Sequence, residues 1–420
     1  PVCPVRRNRQ EGLPLGKKVF EVEISNTGPK GYETATILGL PATRAEFQDA
    51  LQKARIKDSR CCRNELVSIH FAGISSGQIG RDVDLLELNF LAERLTLLDA
   101  DGRKGLEGLI QMEQDRLGAQ IPLSRFINLT FHTDLCRFIS GVSSEKELGT
   151  FLYENKMLPQ AAMSLLDTAE PGSRYQTALL EAFGQKHSED QNGVFTHWGY
   201  AELAGEFQEV YQKGKIEYFP QPEGPIVLEV SKGFFDDPSY DSDRTAILQL
   251  PASDEGLWQA VEAVDAASPK ECGFHCVECM IPALWEIIDQ AIDEEGGIEA
   301  ANRFAGKLEK NYRVWDTPEI VKYKALLEAN HASSLQEAER LMHHLDEYEL
   351  LPEIGASWDY AELVLREEYP GLPAELFQTG QAAQIGQRLL AQNGAALTEY
   401  GLLRRKDRLP LEQEGEMKML

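Results

Sequence analysis

Cysteine and histidine residues that could bind a metal are concentrated in one short segment, ECGFHCVECM at residues 271–280. Its potential ligands are Cys272, His275, Cys276 and Cys279. Short spacings of this kind can hold zinc, but a structural zinc site normally combines two such pairs, and the sequence has no second pair. The segment also matches an apolar stretch, LVSIHF at residues 66–71, that is typical of a β-strand. We therefore favour buried, unreactive thiols over a metal site.

Other residue types that are capable of chemistry do not form a recognisable site. His343 and His344 are adjacent on a predicted helix, and no carboxylate or cysteine at ligand spacing completes a ligand set with them. The sequence contains no G-x-S-x-G, P-loop, G-x-G-x-x-G or H-E-x-x-H motif. A Ser–His–Asp triad stays open, because its members need not be close in sequence. We expect a non-enzymatic protein with no catalytic residue, no cofactor and no metal.

Acidity is the strongest departure from an average composition, and it is concentrated in one part of the chain. The formal net charge is −26 over 420 residues. Residues 1–200 contain 23 Lys and Arg against 26 Asp and Glu, whereas residues 201–420 contain 19 against 42, so the two parts carry −3 and −23. An acidic surface repels nucleic acid and anionic membranes and attracts basic partners. We therefore expect no direct binding to nucleic acid or to membranes.

Clustered carboxylates in the acidic part are the candidate partner-binding residues. They are Asp236, Asp237, Asp241 and Asp243 in a loop, Glu286, Asp289, Asp293, Glu294, Glu295 and Glu299 on a helix and its exit, and Asp346, Glu347, Glu349, Glu353, Glu367 and Glu368 further along. Glu286, Asp289 and Asp293 share one face of the predicted helix, with about 6 Å between residues four apart, which resembles a row of phosphates. The alternatives are a solvated face kept acidic for solubility and a metal-binding carboxylate site. The charge asymmetry between the two parts favours the phosphate-like surface.

Two segments of the chain are nearly identical, ILGLPAT at residues 37–43 and ILQLPAS at residues 247–253. The match continues in order through VFEVEI (19–24) with IVLEVS (226–231), LVSIHF (66–71) with CVECMI (276–281), MLPQ (157–160) with LLPE (350–353), and GVFTHWGYAEL (193–203) with AALTEYGLLRR (395–405). The period is too long for a solenoid repeat. The pattern therefore predicts a tandem duplication of one multi-part unit.

Each predicted copy opens with two strands followed by a helix. VFEVEI alternates as a strand, and the next strand ends at Pro41, since proline cannot continue a ladder. Thr43 with Glu46 three residues later predicts a capping box at the start of the helix. Further predicted helices cover residues 83–99, 143–155, 284–295 and 334–348. Each copy ends in an apolar segment that contains glycine, as a hairpin or edge strand does.

The predicted fold class is α+β in an elongated tandem arrangement. Each copy has a small αβ domain (an antiparallel sheet plus a helix), a helical domain and a closing αβ segment. The predicted boundaries are a basic flexible arm (1–18), copy 1 (19–210, with parts 19–75, 80–125 and 126–205), a linker (211–225), copy 2 (226–410, with parts 226–282, 283–330 and 331–405) and a tail (406–420). The seven cysteines fit reduced thiols, and no signal peptide or bilayer-spanning apolar run is evident, so we expect a cytoplasmic protein.

Several short motifs in the first copy resemble, in type and order, those of the ArdA antirestriction proteins of conjugative elements. They are LELNFLAERL (86–95) with Leu88, Asn89 and Leu91, then INLTFHTDLCRF (127–138), then a helix ending in YENKMLP (153–159), then a closing segment with Gly193, Phe195, Gly199 and Glu202. The resemblance covers most of residues 19–205, and a diverged second unit covers residues 226–405. Two features depart from the family, whose members are acidic throughout: the near-neutral first copy and its basic arm.

The resemblance implies an acidic protein that imitates bent double-stranded DNA. Its carboxylates would occupy the DNA-binding groove of a type I restriction–modification enzyme, at the methyltransferase core, or of another DNA-binding defence protein. Family members are usually dimeric, which implies a homodimer, although two tandem units in one chain could replace it. Two alternatives stay open. One is a non-enzymatic interaction or scaffold protein of a conjugative element with another basic partner, and the other is a metal-dependent hydrolase that uses the acidic cluster.

Overall fold

A computed structural model describes residues 18–27, 34–57, 62–80, 83–118, 120–215, 224–233, 244–294, 296–377 and 379–407. Throughout these residues the protein is mixed α+β, with small three-stranded antiparallel sheets set among helices, which confirms the predicted class. The predicted arm apart from Lys18, residues 216–223 of the predicted linker and residues 408–420 of the predicted tail lie outside the described residues. Below, residues 18–215 are called the N-terminal half and residues 224–407 the C-terminal half.

The N-terminal half opens with a sheet and a helix, as predicted. Its first elements are β1 (Phe20–Asn26), β2 (Thr34–Leu40), α1 (Arg44–Lys53) and β3 (Cys62–Ile69). β1 is the central strand in the order β2-β1-β3, and its alternate residues Phe20, Val22 and Ile24 are fully buried. The capping box of Thr43 and Glu46 is present and fixes the start of α1.

A layer of helices follows this first sheet. The helices are α2 (Ser76–Ile79), α3 (Leu85–Thr96), α4 (Ala100–Leu117) and α5 (Leu123–Leu129). α3 lies within the helix predicted over 83–99. Its Asn89 accepts the backbone N–H of Ala42 at 2.7 Å and donates to the carbonyl oxygen of Ala42 at 3.1 Å, just after the cis Leu40–Pro41 peptide. This pair of hydrogen bonds ties the helical layer to the end of β2.

A second sheet closes the N-terminal half. Its elements are β4 (Cys136–Ser140), α6 (Glu145–Glu154), α7 (Gln160–Thr168), α8 (Arg174–Gln191), β5 (Val194–Thr196) and β6 (Gly199–Leu203). The strand order is β4-β6-β5. α6 and α8 touch at Gly149 and Gly184, where an added Cβ would lie 1.8 Å from a facing carbonyl oxygen. A larger residue at either position would therefore force the two helices apart.

The C-terminal half begins with the same arrangement of elements. They are β7 (Ile226–Lys232), β8 (Thr245–Leu250), α9 (Asp254–Ala263) and β9 (Cys272–Cys279). The order β8-β7-β9 corresponds to β2-β1-β3. Leu250–Pro251 is also a cis peptide, and Asn302 bonds to the N–H and carbonyl of Ala252 at 2.7 and 2.9 Å. Asn302 thus ties α11 to the end of β8, as Asn89 ties α3 to the end of β2.

Helices and a last sheet complete the C-terminal half. Their bounds are α10 (Trp285–Ile292), α11 (Gly297–Tyr312), α12 (Thr317–Ala329), α13 (Leu335–His343), β10 (Tyr348–Leu351), α14 (Ser357–Glu368), α15 (Gly380–Gln392), β11 (Ala395–Thr398) and β12 (Gly401–Arg405). The order β10-β12-β11 corresponds to β4-β6-β5. α12 packs against these three strands as α4 packs against β4, β5 and β6.

Two predicted helices are shorter in the structure than the periodicity suggested. The helix predicted over 284–295 ends at Ile292, because the chain turns through Gly296 at a φ of 77° before α11 begins. The helix predicted over 334–348 ends at His343, and strand β10 starts five residues later at Tyr348. Polar residues with helical spacing continued past both ends, so the apolar pattern alone did not mark the stops.

One proposed sequence match does not join equivalent elements. Residues 157–159 lie between α6 and α7 and residue 160 begins α7, whereas residues 350–353 cover the end of β10 and the turn after it. Strand order makes β10 the counterpart of β4 instead. A leucine–proline pair at the end of an element is a local signal, so it recurs at unrelated positions.

The two halves have separate apolar cores and meet through buried polar side chains. The two largest buried clusters are each confined to one half. Lys324 of α12 is 2% exposed, and its Nζ lies 2.7 Å from Asp49 Oδ1 and 2.9 Å from Gln52 Oε1 on α1. Tyr400, in the turn between β11 and β12, donates its hydroxyl to the same Asp49 oxygen at 2.8 Å. This network of Asp49, Gln52, Lys324 and Tyr400 is called the seam below.

Candidate partner-binding surface

Four of the predicted carboxylates lie around the junction of α10 and α11. α10 packs on β9 and α11 and buries its isoleucine side chains, so its other face is turned to solvent. The exposed acidic residues there, called the junction carboxylates below, are Glu286, Asp293, Glu294 and Glu299. Seven residues of helix between Glu286 and Asp293 span about 10 Å. That length covers roughly three phosphates of one DNA strand, which follow one another every ~3.4 Å along the axis.

Two of the junction carboxylates occupy positions that local helix stability does not favour. Asp293 is the C-cap of α10 and Glu294 follows it, at the end where the helix dipole is negative. A carboxylate there costs about 0.3–1 kcal/mol, and lysine or arginine is the stabilising choice. The requirements of the helix itself therefore do not explain this pair.

Asp289, the middle residue of the predicted row, serves the fold instead. Its Oδ1 accepts the backbone N–H of Cys276 on β9 at 2.6 Å. Its Oδ2 lies 3.0 Å from Nδ1 of His275. Hydrogen bonding to Asp289 raises the pKa of His275, and the charge of Asp293 adds to the effect. Asp289 therefore anchors α10 to β9 rather than facing a partner.

The His275–Asp289 contact predicts a pH-dependent contribution to stability. A histidine whose folded pKa is raised adds stability in full below its unfolded pKa of 6.5, and this is lost as pH rises through the folded pKa. Denaturant unfolding should show that His275→Gln lowers the free energy of unfolding more at about pH 5.5 than at about pH 8.5. Since His275 is partly exposed, solvent screening limits the difference to roughly 0.5–1 kcal/mol. The exposed His343→Gln variant is the control, and an equal loss at both pH values would contradict the assignment.

Acidic residues around β10 are partly neutralised by strand β12. Glu349 faces Arg404 across the sheet, with its Oε2 2.9 Å from Nε and 2.8 Å from Nη2. Glu347 lies 2.6 Å from Nδ1 of His344 and 3.9 Å from Nη2 of Arg405. The other predicted residues in this part of the chain are all exposed and are Asp346, Glu353, Glu367 and Glu368. Glu349 and Glu347 therefore present less charge to a partner than the sequence suggested.

The remaining predicted residues lie outside the described part of the structure. They are Asp236, Asp237, Asp241, Asp243 and Glu295. The structure thus brings one predicted group together, at the α10–α11 junction. It places the other described group on β10, α14 and the segments beside them.

The cysteine cluster lies on β9, and its thiols are buried as predicted. Cys272, Cys276 and Cys279 are 5%, 0% and 2% exposed. Burial raises the pKa of the Cys276 thiol, and it raises that of Cys279 to about 12. Burial therefore disfavours the reactive thiolate form of these cysteines. In the part of the chain that the structure describes, no three His, Cys, Asp or Glu side chains are grouped so as to hold a metal ion.

The closing-segment residues on which the motif resemblance is based have structural roles at the β5–β6 hairpin. Gly199 starts β6 at a φ of 131°, in the left-handed region that favours glycine. A Cβ at Gly193 would lie 2.1 Å from the hydroxyl of Tyr200. The carboxylate of Glu202 lies 2.9 Å from Nε2 of His187. These residues shape the β5–β6 hairpin and its contact with α8.

Sequence reasoning missed the seam and the second asparagine. Asp49 interrupts the apolar stripe of α1 next to the buried Ala50, and Lys324 follows the buried Tyr323. A charged residue at an inward-facing position was the available signal in both helices. For Asn302 the signal was its place in an amphipathic helix after the second ILQLPAS-type segment, as Asn89 follows the first.

Comparison with known proteins does not assign the chain to a family. No protein-family model matches the chain, and no curated protein matches it. Across the described ranges, every helix is too short or too polar to cross a membrane.

Proposed function

We propose that this chain is an ArdA-like antirestriction protein of a conjugative element. It acts in the cytoplasm, without catalysis, by occupying the DNA-binding groove of a type I restriction–modification enzyme. The observation that carries the proposal is the group of junction carboxylates, which are exposed where α10 and α11 meet and include two placed at the negative end of the α10 dipole. A function that needs negative charge at that point accounts for this placement.

We also infer that the two halves arose by tandem duplication of one unit. Three independent features support the inference. Both opening sheets have the same strand order, with the first strand of the half at the centre. Asn89 and Asn302 bond to the residue after each cis proline. Both closing hairpins have a threonine whose hydroxyl donates to the glycine three residues later, Thr196 to Gly199 and Thr398 to Gly401.

The physical basis is that proteins bind DNA largely through its phosphates. Lysine and arginine side chains in the groove of the target supply most of the sequence-independent affinity. Exposed carboxylates can accept hydrogen bonds from the same lysine and arginine side chains. Such a protein inhibits cleavage whatever the DNA sequence, because it competes with the backbone contacts and not with base recognition.

Neutralising the junction carboxylates tests the proposal. The variant Glu286→Gln, Asp293→Asn, Glu294→Gln, Glu299→Gln keeps the size of each side chain and removes four charges. Plating efficiency of unmodified phage is measured on cells with an active type I system. The wild-type protein should restore plating, and the variant should lose most of that protection.

A matched control variant neutralises four exposed carboxylates of the N-terminal half. It carries Glu154→Gln, Glu170→Gln, Glu181→Gln and Glu206→Gln, which are all exposed in the structure. This variant should protect as well as the wild-type protein. Equal protection by both variants would overturn the role of the junction. No protection by soluble, expressed wild-type protein would overturn the proposal and favour a scaffold with another basic partner.

A further inference from the structure

The seam shows how a hairpin tip of this molecule packs on the face of a helix. On one side of the seam is the outer face of α1, with Asp49 and Lys53. On the other side is the tip of the β11–β12 hairpin, where Tyr400 donates to Asp49 at 2.8 Å and Glu399 lies 2.6 Å from Lys53. The C-terminal hairpin tip is therefore held on the first helix of the N-terminal half.

The β5–β6 hairpin of the N-terminal half has the same kind of tip without that contact. Thr196 and Gly199 hold its turn as Thr398 and Gly401 hold the other, with glycine φ angles of 131° and 133°. Trp198 stands where Tyr400 stands, one residue before the glycine. Tyr400 is 2% exposed in the seam, whereas Trp198 is 42% exposed.

The tip with Trp198 is held in a fixed geometry by α4. The indole N–H of Trp198 donates to Glu107 at 2.9 Å, and the other oxygen of Glu107 lies 2.7 Å from Nδ1 of His197. Glu107 is eight residues after the N-cap Asp99, as Lys324 is eight residues after the N-cap Asp316. Both carboxylate oxygens of Glu107 thus have hydrogen-bond partners within their own half.

The face of α9 is the counterpart of the α1 face in the seam. An offset of 210 residues places Gln259 where Asp49 stands and Ala263 where Lys53 stands. Both residues are exposed. They border a groove of about 380 Å³ between β8 and α9, which is also lined by Ile247, Ala252 and Gly256. This feature is called the α9 groove below.

We propose that the β5–β6 tip of one copy of this chain docks in the α9 groove of a second copy. The contact repeats the seam with a change of chemistry on both sides. The lysine that lies 5.7 Å above the Tyr400 ring is replaced by Ala263, which leaves room for the larger indole of Trp198. The Asp49–Lys324 pair is replaced by Gln259, which is uncharged, and by Glu107, whose two carboxylate oxygens already have hydrogen-bond partners at the tip.

The contact joins two different surfaces, so it is heterologous. A heterologous contact gives a ring if the rotation closes and an open chain if it does not. A second copy is the fitting occupant because the chain already uses the same two kinds of surface against each other in the seam. The inference concerns assembly only, and it stands whether or not the acidic surface imitates DNA.

Two single variants and their mixture test this docking by sedimentation velocity over a wide concentration range. Trp198→Ala removes the aromatic side chain of the tip. Ala263→Lys places a lysine in the α9 groove, at the position that Lys53 has on α1. The wild-type protein should associate with rising concentration, and each variant should weaken association at least about tenfold, as loss of a buried aromatic anchor does. Both positions are exposed, so both variants should fold. Tyr175→Ala, at an exposed aromatic residue of α8, should associate as the wild type does.

A mixture of the two variants distinguishes docking of the tip in the α9 groove from nonspecific self-association. Trp198→Ala retains an intact groove and Ala263→Lys retains an intact tip, so together they should form dimers and nothing larger. A wild-type monomer at every concentration would overturn the proposal. So would unchanged association of either variant, or a mixture that stays monomeric while the wild type associates.

Discussion

Lys324→Met should lower the free energy of unfolding by about 3 kcal/mol and loosen the contact between the two halves. The ammonium group is 2% exposed and lies 2.7 Å from Asp49, which is itself 6% exposed. Removing it leaves a buried carboxylate without its nearest cation, which typically costs 3–5 kcal/mol, so about 3 is the lower end. The lower end applies because Nζ of Lys53 is 3.5 Å from the other Asp49 oxygen and compensates in part.

The double variant Asp49→Asn, Lys324→Met separates loss of charge pairing from loss of packing. With Asp49→Asn, no buried carboxylate is left without a cation. The oxygen of the new amide can still accept a hydrogen bond from the hydroxyl of Tyr400. The double variant should therefore recover about 1–2 kcal/mol relative to Lys324→Met alone. Denaturant unfolding measures both values. Lys186→Met, at an exposed ion pair with Asp190, should change stability by less than about 0.5 kcal/mol.

Calorimetry gives a second readout of the seam. The halves have separate apolar cores, so the seam carries much of the coupling between them. We expect Lys324→Met to split a single thermal transition into two or to widen it. A Lys324→Met variant that unfolds as the wild type does, in both midpoint and cooperativity, would show that the buried pair does not couple the halves.

The opening elements of each half were predictable because their signals are local. Alternation in VFEVEI, a stop at Pro41 and a capping box at Thr43 each act within a few residues, and the structure contains all of them. The match of residues 193–203 with 395–405 was equally local, since both are hairpins with a glycine at positive φ. Local signals of this kind can be recognised without knowing how the rest of the chain packs.

The task of each carboxylate was not predictable in the same way. Spacing placed Asp289 in a row with Glu286 and Asp293, and its two contacts with β9 depend on which strand packs beside the helix. The seam was harder still to predict, because Asp49 and Lys324 are 275 residues apart in sequence. Charge patterns therefore identify acidic surfaces, and tertiary packing decides which carboxylates remain available to a partner.

If the proposed imitation of DNA holds, binding to the methyltransferase core of a type I enzyme should weaken as salt rises. Attraction between exposed charges is screened over a Debye length that falls from about 10 Å at 0.1 M to about 3 Å at 1 M. Neutralising the four junction carboxylates should lower affinity roughly fourfold to a thousandfold at low salt, since each exposed pair contributes about 0.2–1 kcal/mol. Most of the change should be in the association rate, which charge complementarity controls.

The affinity of this chain for the enzyme should depend less strongly on salt than the affinity of DNA for the same enzyme. DNA binding loses affinity with a slope of about 0.9 per phosphate contacted, because condensed counterions are released from the dense backbone. Carboxylates on a folded protein have a lower charge density and fewer condensed ions, so the salt slope of this chain should be smaller than that of DNA on the same enzyme. Inhibition in competition with DNA should therefore improve as salt rises, even though both affinities fall. Competition that stays constant with salt, or a wild-type affinity that does not change between low and high salt, would contradict a phosphate-like role for the junction carboxylates.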